Sequence, residues 1–469
     1  MNDSFFPMNK LTHFFSTVFF VVLFTVSCSS QQTLQTDLDT TTSDSSTVAE
    51  ISEDSLLTLT QERTFQYFWD GAEPNSGMAR ERYHLDGEYP QNDKHIVTTG
   101  GSGFGIMAII VGMERNFISH QEGVDRLQRI ADFLEDADRF HGAWSHWING
   151  ETGEVKPFGQ KDNGADLVET SFLVQGLITA RQYLRQHGGT QEEELANQID
   201  EMWREVEWNW FTKDGAEDVL YWHWSPEYGW EMDFPLEGYN EVLITYIMAA
   251  SSPTHGISAE PYHEGWARGG DITVNVNTYG YELQLSHNGA RQYGGPLFWA
   301  HYSYLGLDPE GLEDRYANYW QENVNHTLIN RQWAVENPEG YEGYGEDLWG
   351  LTASYSVSGY AAHRPTEDLG VITPTAALSS FPYTPEKSMD VLENLYYNYN
   401  DKLFGPYGFF DAFSVEAEWY PQRYLAIDQG PIVVMIENHR SGLLWDLFMS
   451  APEVQQGLKK LDFESSHLN

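Results

Sequence analysis

A chain of 469 residues with 70 Asp and Glu against 26 Lys and Arg carries a formal charge of -44, which excludes a general affinity for nucleic acid or anionic lipid head groups, because both repel it. Its single cysteine excludes a disulfide within the chain, so stability must come from core burial. Aromatic residues make up 14% of the chain, with 16 Trp and 27 Tyr, and rings with one polar handle suit a core or the face of a neutral partner.

Residues 1–28 read as a secretory signal: Lys10, an apolar run over 14–26, then Ser27 and Cys28. Small Ser27 before Cys28 fits a lipid-acceptor site, although Thr25 stands where leucine is usual; plain secretion with a leftover thiol is the alternative. The apolar run falls short of the ~20 residues a membrane span needs. The expectation is an exported monomer, lipid-anchored through Cys28 at a bacterial outer membrane and otherwise without membrane contact. Residues 29–54 are Ser, Thr and Asp with little apolar content, which predicts a flexible tether. A single folded domain is expected over 55–465.

Within that domain two kinds of helix are predicted. Apolar segments rich in small residues recur at 103–113, 168–180, 240–250, 295–304, 348–355 and 430–438; amphipathic ones, with one apolar stripe, fall at 56–69, 121–139, 191–210, 312–332 and 386–402. A helix apolar all round is buried, and a striped one lies at the surface. Alternating the two kinds gives an all-α fold, an (α/α)6 toroid with six inner and about six outer helices. Residues 251–294 offer no outer helix, so that part of the ring must be irregular.

Each apolar segment is entered from a loop rich in Gly, Trp, Tyr and acid, and six such loops opening at one end would make a cleft of carboxylates and rings. Two carboxyls, one protonated and one ionised, beside an aromatic platform are what glycoside hydrolysis requires. The candidate acids are Asp162, Asp166, Glu169, Glu237, Glu241 and Asp428. The first three are spaced four and three apart, one helical face, although Asp166 would equally serve as a helix cap. Glu237 and Glu241 flank the Trp-rich entry at 222–250; desolvation among rings would favour the protonated, donating form of either. Glu237 is the expected donor, Glu241 the alternative, and Asp428 the partner on the far wall. The rings expected to hold substrate are Trp222, Trp224, Trp230, Tyr239, Trp144, Trp147, Tyr344 and Trp419, with Glu241 among them. His146, His223 and His301 read as hydrogen-bonded structural groups. No zinc-spaced set, H-E-x-x-H, G-x-S-x-G elbow or P-loop occurs, and no metal or cofactor is expected.

The run WSPEYGWEMDFPLEGYNEVLITYIMAASSPTHGI, with NGADLVETSFLVQGL, YGGPLFWAHYSYLGLDP, YGEDLWGLTASYS and LAIDQGPIVVMIENHRSG, resembles the bacterial glucoamylase-like proteins that include glycoside hydrolase family 144, the endo-β-1,2-glucanases. The resemblance spans residues 56–463. It implies an (α/α)6 toroid and internal, inverting hydrolysis of β-1,2-glucan to sophoro-oligosaccharides. By motif it places the family's acids on Asp162, Asp166, Glu169 and Glu237, with Asp428 in the position of the base. A hydrolase of another β-glucan, a polysaccharide lyase and a lipid-anchored glycan-binding protein without catalysis are the competing readings.

Overall fold

The computed structural model describes residues 51–468 apart from Arg291. The predicted signal, Cys28 and residues 29–50 of the tether lie outside the described residues. Ser52, inside the predicted tether, already caps the first helix by accepting the Ser55 N–H.

In chain order the helices are α1 (Glu53–Trp69), α2 (Thr99–Glu114), α3 (His120–Asp136), α4 (Leu167–His187), α5 (Thr190–Arg204), α6 (Leu243–Ser251), α7 (Tyr319–Glu336), α8 (Pro374–Leu378), α9 (Pro385–Asn398), α10 (Asn400–Leu403), α11 (Ala426–Ser441), α12 (Leu443–Met449) and α13 (Pro452–Lys460). Among the described residues, strands occur as short antiparallel ribbons of two or three. Helices α2 and α6 are buried almost all round, and α4 and α11 nearly so, as their composition predicts. α3, α5 and α9 bury one stripe each. The buried set packs in sequence, α11 on α2, α2 on α4, α4 on α6, with α8 also on α11; the striped α1, α3, α5 and α9 lie against it. Among the described residues no helix is long and apolar enough to cross a membrane.

Close approach of α2 and α4 depends on glycine. A Cβ on Gly176 would stand 2.2 Å from the Gly103 carbonyl oxygen, and one on Gly103 2.2 Å from that of Phe172. Backbone cannot retreat as a flexible side chain can, so Gly176→Ala should cost about 1–3 kcal/mol or more, read as a lower denaturation midpoint at unchanged slope.

Two predicted inner helices are absent. Residues 295–304 form two 3-10 turns, Leu297–Ala300 and Tyr302–Tyr304, and 348–355 run through an extended loop into a strand, Ala353–Ser356. Gly350 adopts φ 140°, outside helical space, which breaks the second segment. Its place against α11 is taken by the short α8. The irregular stretch expected at 251–294 holds a π turn at Pro261–Trp266 and a hairpin of strands Thr273–Thr278 and Tyr281–Leu285.

Candidate active site

A cavity of about 330 Å³ opens where the entries to α2, α4 and α11 meet the Ala353–Ser356 strand. Its wall carries three carboxyls, Glu81, Glu169 and Glu241, among aromatic rings. Phe158 and Tyr360 stand at its rim, 50% and 56% exposed, too open for core residues of their size. Deeper in the wall, Tyr302 Oη and Trp222 Nε1 are buried with no hydrogen-bond partner among the described residues. Buried donors left unpaired are costly, so an arriving hydroxyl would satisfy both.

The three carboxyls differ in surroundings. Glu81 is ion-paired to Arg82. Glu169, in the first turn of α4, accepts from the Gly100 N–H at 2.7 Å and the Thr98 hydroxyl at 3.3 Å, and faces His146 Nε2 at 4.0 Å. Glu241, on the turn before α6, has no cation beside it; burial, with the charges of Glu169 and Asp166 adding, pushes its pKa up to about 7.

Behind Glu169 lies a cluster of paired acids and imidazoles. Asp166 caps α4, accepting the Glu169 N–H at 2.9 Å, and its other oxygen accepts from His146 Nδ1 at 3.0 Å. His223 Nε2 is 3.5 Å from that same oxygen and 3.3 Å from Asp162 Oδ2. Burial opposes charge on both rings, yet the surrounding carboxylates raise His146 to about 10 and His223 to about 9. Burial likewise disfavours charge on Asp166, but hydrogen bonds from the two rings hold its carboxyl well below the usual carboxylate range. Ligand atoms of His146, Asp162 and Asp166 lie within 4.8 Å of one another, close enough for a cation, but His146 Nδ1 and His223 Nε2 already face the Asp166 and Asp162 carboxylates, while His223 Nδ1 is buried without a partner among the described residues.

The expected site residues divide sharply. Glu169, Glu241, Trp147 and Trp222 line the cavity, with Asp162 and Asp166 directly behind. Asp428 lies on the first turn of α11, beside the lining residue Ile427 and 1% exposed. Burial, then the neighbouring Asp411 carboxyl, raises its pKa well above the ordinary carboxylate value. Asp411 in turn accepts the Tyr355 N–H at 2.8 Å.

Glu237, the expected donor, stands apart from the cavity lining. Gly238 at φ 77° turns the chain so that the Glu237 side chain, 46% exposed, faces Arg268 Nε at 3.5 Å outside the cavity. Six rings are also elsewhere. Trp144 is fully buried with Nε1 donating to the Leu134 carbonyl at 3.1 Å, and Tyr239 is fully buried with its hydroxyl on Asn323 Oδ1 at 3.1 Å. The Tyr344 hydroxyl donates to Asp368 at 2.7 Å, while Trp419 packs on the small cluster around Tyr355 and Val371. Trp224 and Trp230 gather around Trp210 instead of the cavity. Glu81, Arg82, Phe158, Tyr302, Tyr355 and Tyr360 line the cavity without having been singled out. Tyr302 and Tyr355 had a signal, since both sit in predicted inner segments, and so did Phe158, in the loop that enters the segment at 168–180.

A packed set of buried helices with an acid-and-aromatic cavity at the helix entries defines a helical protein of the glucoamylase-like class. A family model described as "Putative glucoamylase" matches residues 233–452. The chain is similar to an endo-β-1,2-glucanase from Chitinophaga pinensis, solved with sophorotriose and glucose, at 65% identity and a TM-score of 0.88, covering 89% of this chain and 100% of that one. It is 47% identical over 437 residues to the exo β-1,2-glucooligosaccharide sophorohydrolase (non-reducing end) of Parabacteroides distasonis, covering 89% of this chain and 59% of the relative, so it spans little more than half of that protein's length. An endo-β-1,2-glucanase from Talaromyces funiculosus shares the fold at 14% identity, with a TM-score of 0.62 over 87% of this chain and 88% of that one. The chain belongs to the bacterial glucoamylase-like family that includes glycoside hydrolase family 144.

Proposed function

We propose that the protein is an endo-β-1,2-glucanase: it hydrolyses β-1,2-glucan within the chain, with inversion, to short sophoro-oligosaccharides. The carrying observation is Glu241, a cavity carboxyl with a pKa of about 7 and no cation beside it, facing a wall of rings and unpaired donors. Such a group keeps its proton near neutrality and can pass it to the leaving glycosidic oxygen. Endo rather than exo action is supported by the 65% identity to the Chitinophaga enzyme, whose full length is covered.

On the opposite side Asp428 is the water-activating base. Neither of its oxygens has a hydrogen-bond partner among the described residues, and the carboxyl beside it is that of Asp411. Buried acceptors of that kind call for ordered water, which gives the proton a path from the attacking water into the aspartate pair. Glu169 supplies negative charge beside the developing oxocarbenium centre. The packing order of α8, α11, α2, α4 and α6, with the 3-10 turns at 297–304 between α6 and α8 in the chain, supports an (α/α)6 toroid in which one inner helix is reduced to turns. Export as a monomer and anchoring through Cys28 complete the reading, on the strength of the N-terminal sequence.

Incubation with β-1,2-glucan and chromatography of the products tests this directly. A ladder of sophoro-oligosaccharides is expected; sophorose alone from the first minutes would mean exo action, and an unchanged polymer would remove the assignment.

A further inference from the structure

We propose that His146 and His223 are positioning residues: with Asp166 and Asp162 they form an alternating ladder of imidazolium and carboxylate that keeps Glu169 ionised in the cavity wall. The rungs are Glu169 Oε1 to His146 Nε2 at 4.0 Å, His146 Nδ1 to Asp166 Oδ2 at 3.0 Å, Asp166 Oδ2 to His223 Nε2 at 3.5 Å, and His223 Nε2 to Asp162 Oδ2 at 3.3 Å. Each imidazole therefore lies between two carboxylates, or against two at once.

The backbone builds this arrangement locally. Asp166 and His223 are partners in a two-residue antiparallel ribbon, and the Leu167 N–H donates to the Trp222 carbonyl at 2.9 Å, which sets His223 opposite the cap of α4. His146 is held from the other side, because its carbonyl accepts the Thr99 N–H at 3.2 Å at the start of α2. The next residue of α2, Gly100, gives its N–H to Glu169. Glu169, His146, Asp166 and His223 are thus held by the entries of α2 and α4, while Asp162 reaches His223 from the loop that precedes α4.

The physical need for a ladder is plain. Five acids face these rings and the Glu169 carboxyl: Asp162, Asp166, Glu169, Glu81 and Glu241. Burial, with the Asp166 charge adding, raises the Glu169 pKa above the ordinary carboxylate value, and His146, the Gly100 N–H and the Thr98 hydroxyl pull against that rise toward the ionised form. Without two imidazolium charges the Asp162, Asp166 and Glu169 carboxylates would repel one another in a water-poor wall. Phe158, stacked on His146 with ring centroids 4.3 Å apart, shields that ring from solvent.

Two measurements on the full chain test the proposal. In ¹⁵N-histidine NMR at pH 8, two rings, assigned by loss of signal in His146→Gln and His223→Gln, are expected to be doubly protonated while ordinary histidines are neutral. Asp166→Asn should return at least one of them to a neutral ring. Neutral rings in the wild type, or a metal ion co-purifying in stoichiometric amount and released by chelator, would overturn the ladder. This readout needs no substrate, so it fails or succeeds independently of the glucanase assignment.

The consequence for turnover does rest on that assignment. With His146 removed, Glu169 loses its nearest cation, so the acid limb of kcat/KM on β-1,2-glucan should move up by about one pH unit in His146→Gln. Replacement that merely loosens the fold would lower the plateau and leave the limb in place, and that result would also overturn the proposal.

Discussion

Glu241→Gln is expected to lower kcat on β-1,2-glucan by about 10²- to 10⁴-fold, the usual contribution of a positioned general acid. The amide preserves shape and removes only the proton that protonates the leaving oxygen, so oligosaccharide binding should remain measurable. In the wild type the same group predicts the alkaline limb of the pH profile: a donor works in its protonated form, so activity should decline as pH rises through about 7. That limb should be missing from the residual activity of the variant. Glu237→Gln provides the contrast, since its side chain lies outside the cavity against Arg268 and should leave the rate near wild type. Reversed outcomes for the two variants would transfer the donor role to Glu237.

Arg181→Met should destabilise the fold by about 3 kcal/mol, at the lower end of the cost of breaking a buried ion pair. The Arg181 side chain on α4 is wholly buried and holds two carboxylates: Asp200 on α5, by a short contact to Nη1, and Glu453 on α13, at 2.9 Å from Nη2. Arg204 also reaches both acids, at 2.6 Å and 3.1 Å, which is why the loss falls short of the upper range. Burial works against charge on Asp200, but Arg204, Trp203 and Arg181 hold its pKa below the ordinary value. A depressed carboxylate contributes stability above its unfolded pKa and loses it as pH falls toward the folded one. The difference between wild type and variant should therefore be full at pH 7 and shrink below about pH 4. Chemical denaturation at the two pH values measures it, and an equal difference at both would contradict the assignment of the ion pair.

Helix periodicity was the most readable feature of the chain. Segments at 103–113, 168–180, 240–250 and 430–438 fall within or overlap α2, α4, α6 and α11, because a run apolar on every face can only be buried. At 295–304 and 348–355 the same signal misled: a short apolar run has no period long enough to separate helix from turn or strand, and the backbone at Gly350 settled the second case. Among the acids, the four-and-three spacing of Asp162, Asp166 and Glu169 predicts one helical face, but α4 begins only at Leu167, so Asp162 and Asp166 come to lie behind Glu169 from the loop before the helix. Asp166 caps α4, one of the roles weighed for it, and also holds the imidazoles, which its sequence position does not suggest.

The rings were less legible. Trp147 and Trp222 line the cavity, whereas Trp144 and Tyr239, three residues from Trp147 and two from Glu241, are sealed in the core. Neighbours in sequence take opposite destinations because each short ribbon and turn sends successive side chains to opposite faces. Composition says that rings are abundant, not which way they point.

By itself, then, the sequence determined the helical class, the family and the set of acids near the entry to α4, since these follow from local periodicity, spacing and extended motifs. Tertiary structure alone decided where Glu237 and Glu241 stand. Both stand at the same entry, four residues apart, but a left-handed glycine and a partner arginine draw one into solvent, while packing against α4 buries the other beside Glu169 and raises its pKa. The arginine and the helix packing come from residues distant in the chain, and no local pattern encodes them.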